Sequence, residues 1–191
     1  MDHAIDIAKI EAQLRTGDPG VQHDALVEIS GATEGLLETA VQGFRYTSIP
    51  NIYAEHLAKF GSAIVPHVEN LYRSYEHGRE RTSLAILLLY FGDKSGLSDV
   101  MSALQIDNES QLLAAHKLAS AGIVEAKEPI TQLLREYLFG QPLTQASGPK
   151  IDSLLLALTN LGAEVPEDMT DRLSAPDCPK YIAAHLPQRG I

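Results

Sequence analysis

The sequence predicts an all-α fold in which about five helix pairs stack into a solenoid, with a capping helix at each end. Three observations predict it: a short phrase that recurs roughly every 30 residues, apolar residues at helical spacing on both sides of that phrase, and no alternating runs of β-branched residues. A helix pair of that length cannot bury its apolar face alone, so neighbouring pairs must stack on one another.

The recurring phrase consists of an apolar residue, two variable positions, a second apolar residue and a glycine. Leu88 to Gly92 is a clear copy, and a degenerate first copy has Ser30 in place of the glycine. The positions that hold this glycine or serine are 30, 61, 92, 122 and 162, so the spacings are 31, 31, 30 and 40 residues. The long last spacing coincides with residues 140–149, whose glycines and prolines indicate an inserted loop.

The two helices of each repeat have recognisable ends. Glycine is expected to end the first helix, because it adopts the left-handed conformation without a Cβ penalty. In three repeats the second helix opens with a proline, whose missing N–H is not needed in a first helical turn. These prolines are Pro66, Pro129 and Pro166. The starts of the first helices are marked by Asp18-Pro19, Ser48-Ile49-Pro50, Asp107-Asn108-Glu109 and Gly148-Pro149.

These signals divide the chain into repeats and caps within one domain, residues 1–191. The repeats are expected at residues 18–46, 48–77, 78–106, 107–139 and 147–175. Residues 1–16 are expected to form the N-terminal cap, whose apolar face comprises Ile5, Ala8, Ile10, Ala12 and Leu14. Residues 177–191 are expected to form the C-terminal cap, around Tyr181, Ile182 and Leu186.

The Leu-x-x-apolar-Gly phrase, followed by a proline-led second helix, resembles HEAT-like repeats over residues 18–175, in particular the short repeats of the phycobilisome-lyase type. The resemblance implies a right-handed α/α superhelix of the HEAT-like or armadillo type, in which the second helix of each pair lines the inner surface. Tetratricopeptide and ankyrin repeats fit less well, because their signature residues are missing. Conventional HEAT units are longer, so a generic α/α superhelix is the alternative.

Charge and composition exclude several classes of partner. The chain has 15 basic and 25 acidic residues, a net charge of −10, which disfavours binding to nucleic acid or to an anionic membrane. The longest apolar run, Leu84 to Phe91, has eight residues, too few to span a membrane. The acidic first residues are unlike a secretory signal, and the single Cys178 cannot form an internal disulfide, so we expect a cytoplasmic protein.

No arrangement of residues in the sequence predicts catalysis or a cofactor. The chain lacks the His-x-x-x-His and Glu-x-x-His spacings that bring metal ligands onto one helix face. It also lacks a Gly-x-Ser-x-Gly nucleophile turn and a phosphate-binding Gly-x-x-x-x-Gly-Lys loop. We therefore expect no metal, no cofactor and no enzymatic activity.

The aromatic residues are unevenly placed, with eight of the eleven between residues 44 and 91. Tyr53, Tyr72 and Tyr75 share helical faces with apolar residues and are expected in the core. Tyr46 stands next to Arg45 at the junction between two repeats and is expected to be exposed. Because tyrosine is enriched at protein-binding hot spots, Tyr46 is a candidate contact residue.

The distribution of polar and charged residues predicts a non-catalytic module that binds another protein. The candidate partner-binding residues are Glu34 of the acidic first repeat, Tyr46, and the polar positions of the second helices, which are Glu38, Gln42, Arg45, His67, Asn70, Arg73, Asp99, Ser102, Gln132 and Arg135. Residues 1–40 hold eight acids and two bases, a net charge of −6 that would steer a basic partner. A narrower interpretation is a bacterial immunity protein that binds and neutralises a basic toxin.

Two alternatives belong to other functional classes. The repeat subtype suggests a bilin lyase-like protein or chaperone subunit, which would need arginines that pair with the carboxylates of a tetrapyrrole. Arg45, Arg73 and Arg135 could take that role. A regulatory subunit of a larger complex is the other alternative, and the sequence leaves the oligomeric state open.

Overall fold

The computed structural model describes residues 6–29, 36–106, 110–140, 142–144, 147–176 and 178. Those residues form eleven α-helices and no strand, which confirms the predicted all-α class. The chain divides into two compact units, Met1–Asp99 and Val100–Ile191, and the division falls within one helix. That a single domain covers the chain stays a prediction.

Unit 1 comprises seven α-helices in its described part, the last of which continues into unit 2. The bounds are α1 Ile7–Leu14, α2 Pro19–Ile29, α3 Leu37–Gly43, α4 Pro50–Ala58, α5 Val65–Arg73, α6 Arg79–Tyr90 and α7 Leu97–Ala103. A short 3₁₀ turn, Phe44–Tyr46, follows α3, and another, Gly61–Ile64, precedes α5.

The helices of unit 1 alternate between two packed rows. Helices α2, α4 and α6 pack consecutively, and so do α1, α3 and α5. Helix α6 packs against both α4 and α5, and its residues from Ser83 to Leu89 are all buried. A helix that is buried on every side carries apolar residues all round, which is why the longest apolar run of the sequence lies here.

Unit 2 contains four complete α-helices in its described part. Their bounds are α8 Ser110–Ser120, α9 Lys127–Phe139, α10 Gly148–Asn160 and α11 Glu167–Leu173. A 3₁₀ turn, Val124–Ala126, precedes α9. Helix α10 packs against α8 and α9, and α11 packs against α9.

The recurring phrase forms a helix end, as the sequence predicts. Its four glycines all have positive φ: Gly61 at 73°, Gly92 at 84°, Gly122 at 67° and Gly162 at 61°. The leucine that opens the phrase is fully buried, and in three copies its carbonyl accepts an N–H from the residue after the glycine. Asp93 N–H, for example, donates to the Leu88 carbonyl at 3.0 Å, the bond that closes a Schellman motif. One short phrase therefore supplies both a core residue and a helix stop.

The predicted helix starts are also found where the structure describes them. Pro19 and Pro50 are the first residues of α2 and α4, and Gly148 is the first residue of α10. Asp18 caps α2, since its Oδ1 accepts N–H bonds from Gly20 at 2.9 Å and Val21 at 3.0 Å. Among the second helices, Pro66 and Pro129 lie in the first turns of α5 and α9, and Pro166 immediately precedes α11. The start marked by Asp107 lies outside the described residues.

Two helices fall inside each of the five ranges expected for the repeats. The expected face of the N-terminal cap needs correction: α1 buries Ile10 and Leu14, whereas Ala8 and Ala12 are exposed. Among the apolar side chains of α1, only Ile10 and Leu14 are buried, on the side that packs against α2 and α3. Ile5, Ser30 and the C-terminal cap around Tyr181, Ile182 and Leu186 lie outside the described residues.

Candidate protein-binding groove

Among the candidate partner-binding residues that the structure describes, all except Arg45 and Tyr46 lie on the second helices of their pairs, and three of the candidates lie close together. Glu38 and Gln42 lie on α3, and Tyr46 lies in the turn that follows it. All three line one open groove of about 350 Å³ between α1 and α3. The other lining residues are Glu11, Leu14, Arg15, Thr39 and Gly43. We call this the α1–α3 groove.

A glycine allows the two walls of the groove to approach. A Cβ at Gly43 would lie 3.0 Å from the Leu14 Cβ and would clash with the Tyr53 hydroxyl. That hydroxyl is buried and donates to the Ala40 carbonyl at 2.8 Å, which ties α4 to α3. Thr39, one turn before Gly43, also lines the groove. The groove is therefore a consequence of close helix packing.

The mouth of the groove combines an exposed aromatic ring with acidic groups. Tyr46 is 46% exposed, which confirms that it is a surface residue. Arg15 lies with its Cζ 6.0 Å from the centre of that ring and forms an ion pair with Glu11 at 3.5 Å. Glu38 has no hydrogen-bond or ionic partner among the described residues, and its side chain is exposed. The lining carries two carboxylates and one guanidinium, so a single negative charge is uncompensated.

Arg45, another candidate, holds the rim of the groove in place. Its Nε donates to Gln42 Oε1 at 2.9 Å, and its Nη2 donates to the Ser74 hydroxyl at 3.0 Å. Its Cζ lies 5.8 Å from the centre of the Tyr75 ring. Burial is the main cause of the raised pKa of the Tyr75 hydroxyl. These contacts join the turn after α3 to the end of α5, so Arg45 acts mainly on the shape of the rim.

Asp99 is engaged in a network inside unit 1. Its Oδ2 accepts from Arg81 Nε at 2.9 Å and from the Tyr72 hydroxyl. Arg81 also donates from Nη1 to the carbonyls of Tyr72 and Tyr75. The pKa of Tyr72 is raised, first by burial and next by its bond to Asp99. Because this network joins α5, α6 and α7, we assign Asp99 a structural role.

The remaining candidates are dispersed. Arg73 pairs with Glu69 on its own helix, while Asn70 is exposed and His67 is half-buried on the same helix. Ser102 is exposed on α7. In unit 2, Gln132 bonds to Glu136 at 3.3 Å, and Arg135 pairs with Asp168, which lowers the pKa of that exposed carboxyl. Glu34 lies outside the described residues.

Sequence reasoning missed the contribution of α1 to the groove. Glu11 and Arg15 are one turn apart and flank the buried Leu14, which is the spacing of an ordinary surface ion pair. Nothing in that spacing indicates a binding site. It becomes part of one only because α1 packs against α3.

The described residues contain no group of three or more histidine, cysteine or acidic side chains that could hold a metal ion. Within the same residues, no helix is both long enough and apolar enough to cross a membrane. No protein-family model matches the chain, and no curated protein or solved structure matches it either. The resemblance to HEAT-like repeats therefore stays a prediction from the sequence.

Proposed function

We propose that the protein is a non-catalytic binding protein whose α1–α3 groove takes a basic segment of another protein. The observation that carries the proposal is the exposed Glu38 carboxylate, without a partner among the described residues, in the same groove as the exposed ring of Tyr46. Lysine and arginine both combine a cationic tip with an apolar stem. Such a side chain would pair with Glu38 while its stem packs on Tyr46.

The size and charge of the groove support this type of occupant. A volume of about 350 Å³ is at the small end of binding pockets and accommodates a few side chains of a peptide segment. The lining has one uncompensated negative charge, and residues 1–40 carry a net charge of −6. An acidic surface raises the rate at which a basic partner arrives. A basic protein toxin, neutralised by an immunity protein, is the narrower form of the proposal.

The bilin lyase-like alternative receives no support from the arginines it would use. Arg45 bonds to Gln42 and Ser74, Arg73 pairs with Glu69, and Arg135 pairs with Asp168. These guanidinium groups already have acceptors within the chain. We therefore do not extend the proposal to a tetrapyrrole. A regulatory subunit of a larger complex would use the groove in the same way as the proposed binding protein.

We also propose that the helix pairs continue as a right-handed HEAT-like α/α superhelix. The support is the alternation of helices between two rows within unit 1 and the repeated glycine helix stop in both units. A crystal structure of the whole chain tests this part, and a left-handed or interrupted stack would contradict it.

Affinity capture from the source cells with matched variants tests the binding function. We expect a basic protein to be retained by the wild-type chain and by Glu55→Gln, which removes an exposed acid on α4 outside the groove lining. Glu38→Gln combined with Tyr46→Ala should lose that protein. Calorimetric titration with the purified partner should then show weaker binding to the double variant alone. Equal retention of every captured protein by all three chains would refute the proposal.

A further inference from the structure

Two histidines that are 33 residues apart in the sequence meet between α2 and α4. His23 Nδ1 lies 3.3 Å from His56 Nε2, and the ring centres are 4.5 Å apart. On the other side of its ring, His56 Nδ1 lies 3.3 Å from Lys59 Nζ. The three side chains form a row, and all of them are able to become cationic.

The donors and acceptors of this row can be assigned from chemistry. An ammonium group only donates, so Lys59 donates to His56 Nδ1, and the neutral His56 ring then carries its hydrogen on Nε2. That Nε2–H donates to His23 Nδ1, so the neutral His23 ring carries its own hydrogen on Nε2. This assignment leaves no ring nitrogen with a free lone pair for a metal ion. It also requires both imidazoles to be neutral, because every hydrogen bond in the row forms only in that state.

A proton on either ring breaks a bond in the row. On His56 the proton must take Nδ1, which then faces the Lys59 ammonium as a second donor. On His23 it must take Nδ1, which then faces His56 Nε2–H. In each case two donors stand 3.3 Å apart, and an added positive charge faces a neighbouring donor. A proton on His56 alone breaks only its contact with Lys59 at the end of α4 and leaves Nε2–H donating to His23, whereas protonation of both rings makes the contact between α2 and α4 repulsive.

The groups around the row favour its neutral form. The pKa of His56 is lowered, first by burial, then by Lys59 and His23, while Glu55 acts in the opposite direction. A small cavity beside the two rings is lined by otherwise uncharged residues of α2, α4 and the segment before α4, namely Pro19, Gln22, Leu26, Thr47, Ile49, Ile52 and Tyr53. Burial raises the pKa of the Tyr53 hydroxyl, which therefore stays neutral.

The other charged groups of these helices and of their neighbours do not shift the pKa of His56. Next to His23 on α2 stands the exposed Asp24, and Glu28 of the same helix pairs with Lys9 of α1 at 3.2 Å. The charged side chains on or beside the elements that pack against α2 and α4 also have no effect on the pKa of His56. They are Glu11, Arg15, Glu38, Arg45, Arg79, Glu80 and Arg81.

Two hydrogen bonds connect this cavity to the α1–α3 groove. Gln22, which lines the cavity, donates from Nε2 to the carbonyl of Leu14 at 2.7 Å, and Leu14 lines the groove. Tyr53, which also lines the cavity, donates to the carbonyl of Ala40 on α3 at 2.8 Å. Both walls of the groove are thus attached to the helices that carry the histidines.

We propose that the His23–His56–Lys59 row is an acid-sensitive contact that sets the geometry of the α1–α3 groove. At neutral pH the row contributes an attractive contact between α2 and α4. Protonation of both rings separates the two helices, and the bonds from Gln22 and Tyr53 carry that displacement to the groove walls. A regulatory role for the row rests on the proposed binding function, because the geometry of the groove matters only if a partner binds there. The structural coupling between the row and the groove does not need a partner.

Amide NMR of the whole ¹⁵N-labelled chain between pH 8 and pH 5 tests the coupling without a partner. In the wild type we expect the amide signals of Leu14, Gln42 and Tyr46 to shift as both rings of the row become protonated. The curve should disappear in His56→Gln and in His23→Gln, which are two independent ways to remove the row. His77→Gln is the matched control, because His77 is an exposed histidine of the same unit, and it should titrate like the wild type.

The outcomes separate the two proposals. Groove signals that stay constant from pH 8 to pH 5, or that move equally in the wild type and in both row variants, overturn the coupling and leave the binding function standing. A coupled titration with no captured basic partner overturns the binding function and leaves the coupling standing. Circular dichroism at pH 5 establishes that each variant is folded when its signals are compared.

Discussion

The Cζ atom of Arg81 lies 4.1 Å from the centre of the Tyr72 ring, and Nη2 of the same side chain donates to the Tyr72 hydroxyl oxygen at 2.7 Å. The guanidinium also donates to Asp99, so one cation contacts an aromatic ring, a hydroxyl group and a carboxylate. Both charged side chains are about three-quarters buried. This arrangement joins the end of α5 to the starts of α6 and α7.

Removal of the cation should leave the carboxylate of Asp99, which is about three-quarters buried, without its charge partner. We expect Arg81→Leu to lower the free energy of unfolding by about 2 kcal/mol, the scale of a hydrogen bond to a charged group. Urea unfolding followed by circular dichroism measures it. Lys94→Leu is the control, because it removes an exposed positive charge in the same unit. An equal effect of the two substitutions would show that the network adds nothing to stability.

The glycine of the recurring phrase should be required because its φ is positive, and not because a side chain at that position would lack room. A Cβ at Gly92 would meet no atom within 4 Å, yet φ is 84°. We expect Gly92→Ala to cost about 1–2 kcal/mol, the penalty of a left-handed residue with a Cβ. Gly92→Asn should cost less, since asparagine tolerates that conformation. Thermal unfolding of the two variants distinguishes them, and equal losses would point to a steric cause.

The charge of Glu38 should act on the rate of association with the basic partner. We expect Glu38→Lys to slow association several-fold at low salt, because it reverses a charge at the mouth of the groove. The difference should shrink near 0.5 M salt, where screening acts over roughly 4 Å. Stopped-flow kinetics at several salt concentrations measure it. Glu55→Lys, with the same charge change outside the groove lining, should have a smaller effect, and identical slowing by both would indicate net charge alone.

Tyr46 should act mainly on dissociation. We expect Tyr46→Ala to weaken binding by about 1–3 kcal/mol through faster dissociation, with little change in salt dependence, because the aromatic contact that the partner would cover is lost. Tyr46→Phe retains the ring and should retain most of the affinity. Surface plasmon resonance with the purified partner measures both rates. Unchanged dissociation of Tyr46→Ala would remove this residue from the site.

Stability should depend on the protonation of His56. Its pKa lies below the ordinary value of 6.5, so the unfolded chain binds a proton more readily than the folded chain as pH falls through that value. The free energy of unfolding is therefore expected to decline between about pH 7 and pH 5.5, apart from contributions of carboxyl groups at lower pH. Urea unfolding across this range should show a shallower decline for His56→Gln than for His77→Gln. A steeper decline for His56→Gln would contradict the assigned direction of the His56 pKa shift.

The sequence alone determined the class of the fold and the ends of many helices. These depend on local signals: a buried leucine whose carbonyl needs an N–H donor, a glycine such as Gly92 that takes positive φ, and a proline such as Pro50 at a first turn. Each signal acts within about one helical turn, so the short window of a recurring phrase contains all of it. The exposure of Tyr46 was predictable for the same reason, since it stands in the turn between two helices.

The tertiary structure decided which polar residues meet. His23 and His56 are separated by 33 residues, and Arg81 and Asp99 by 18, so each pair depends on the rotation and register of two packed helices. The same holds for Glu11 and Glu38, which become parts of one groove because α1 packs on α3 through Gly43. A helical pattern specifies which face of a helix is apolar. It does not specify which residue of a neighbouring helix lies opposite, because that is set by the fit of side chains across the contact.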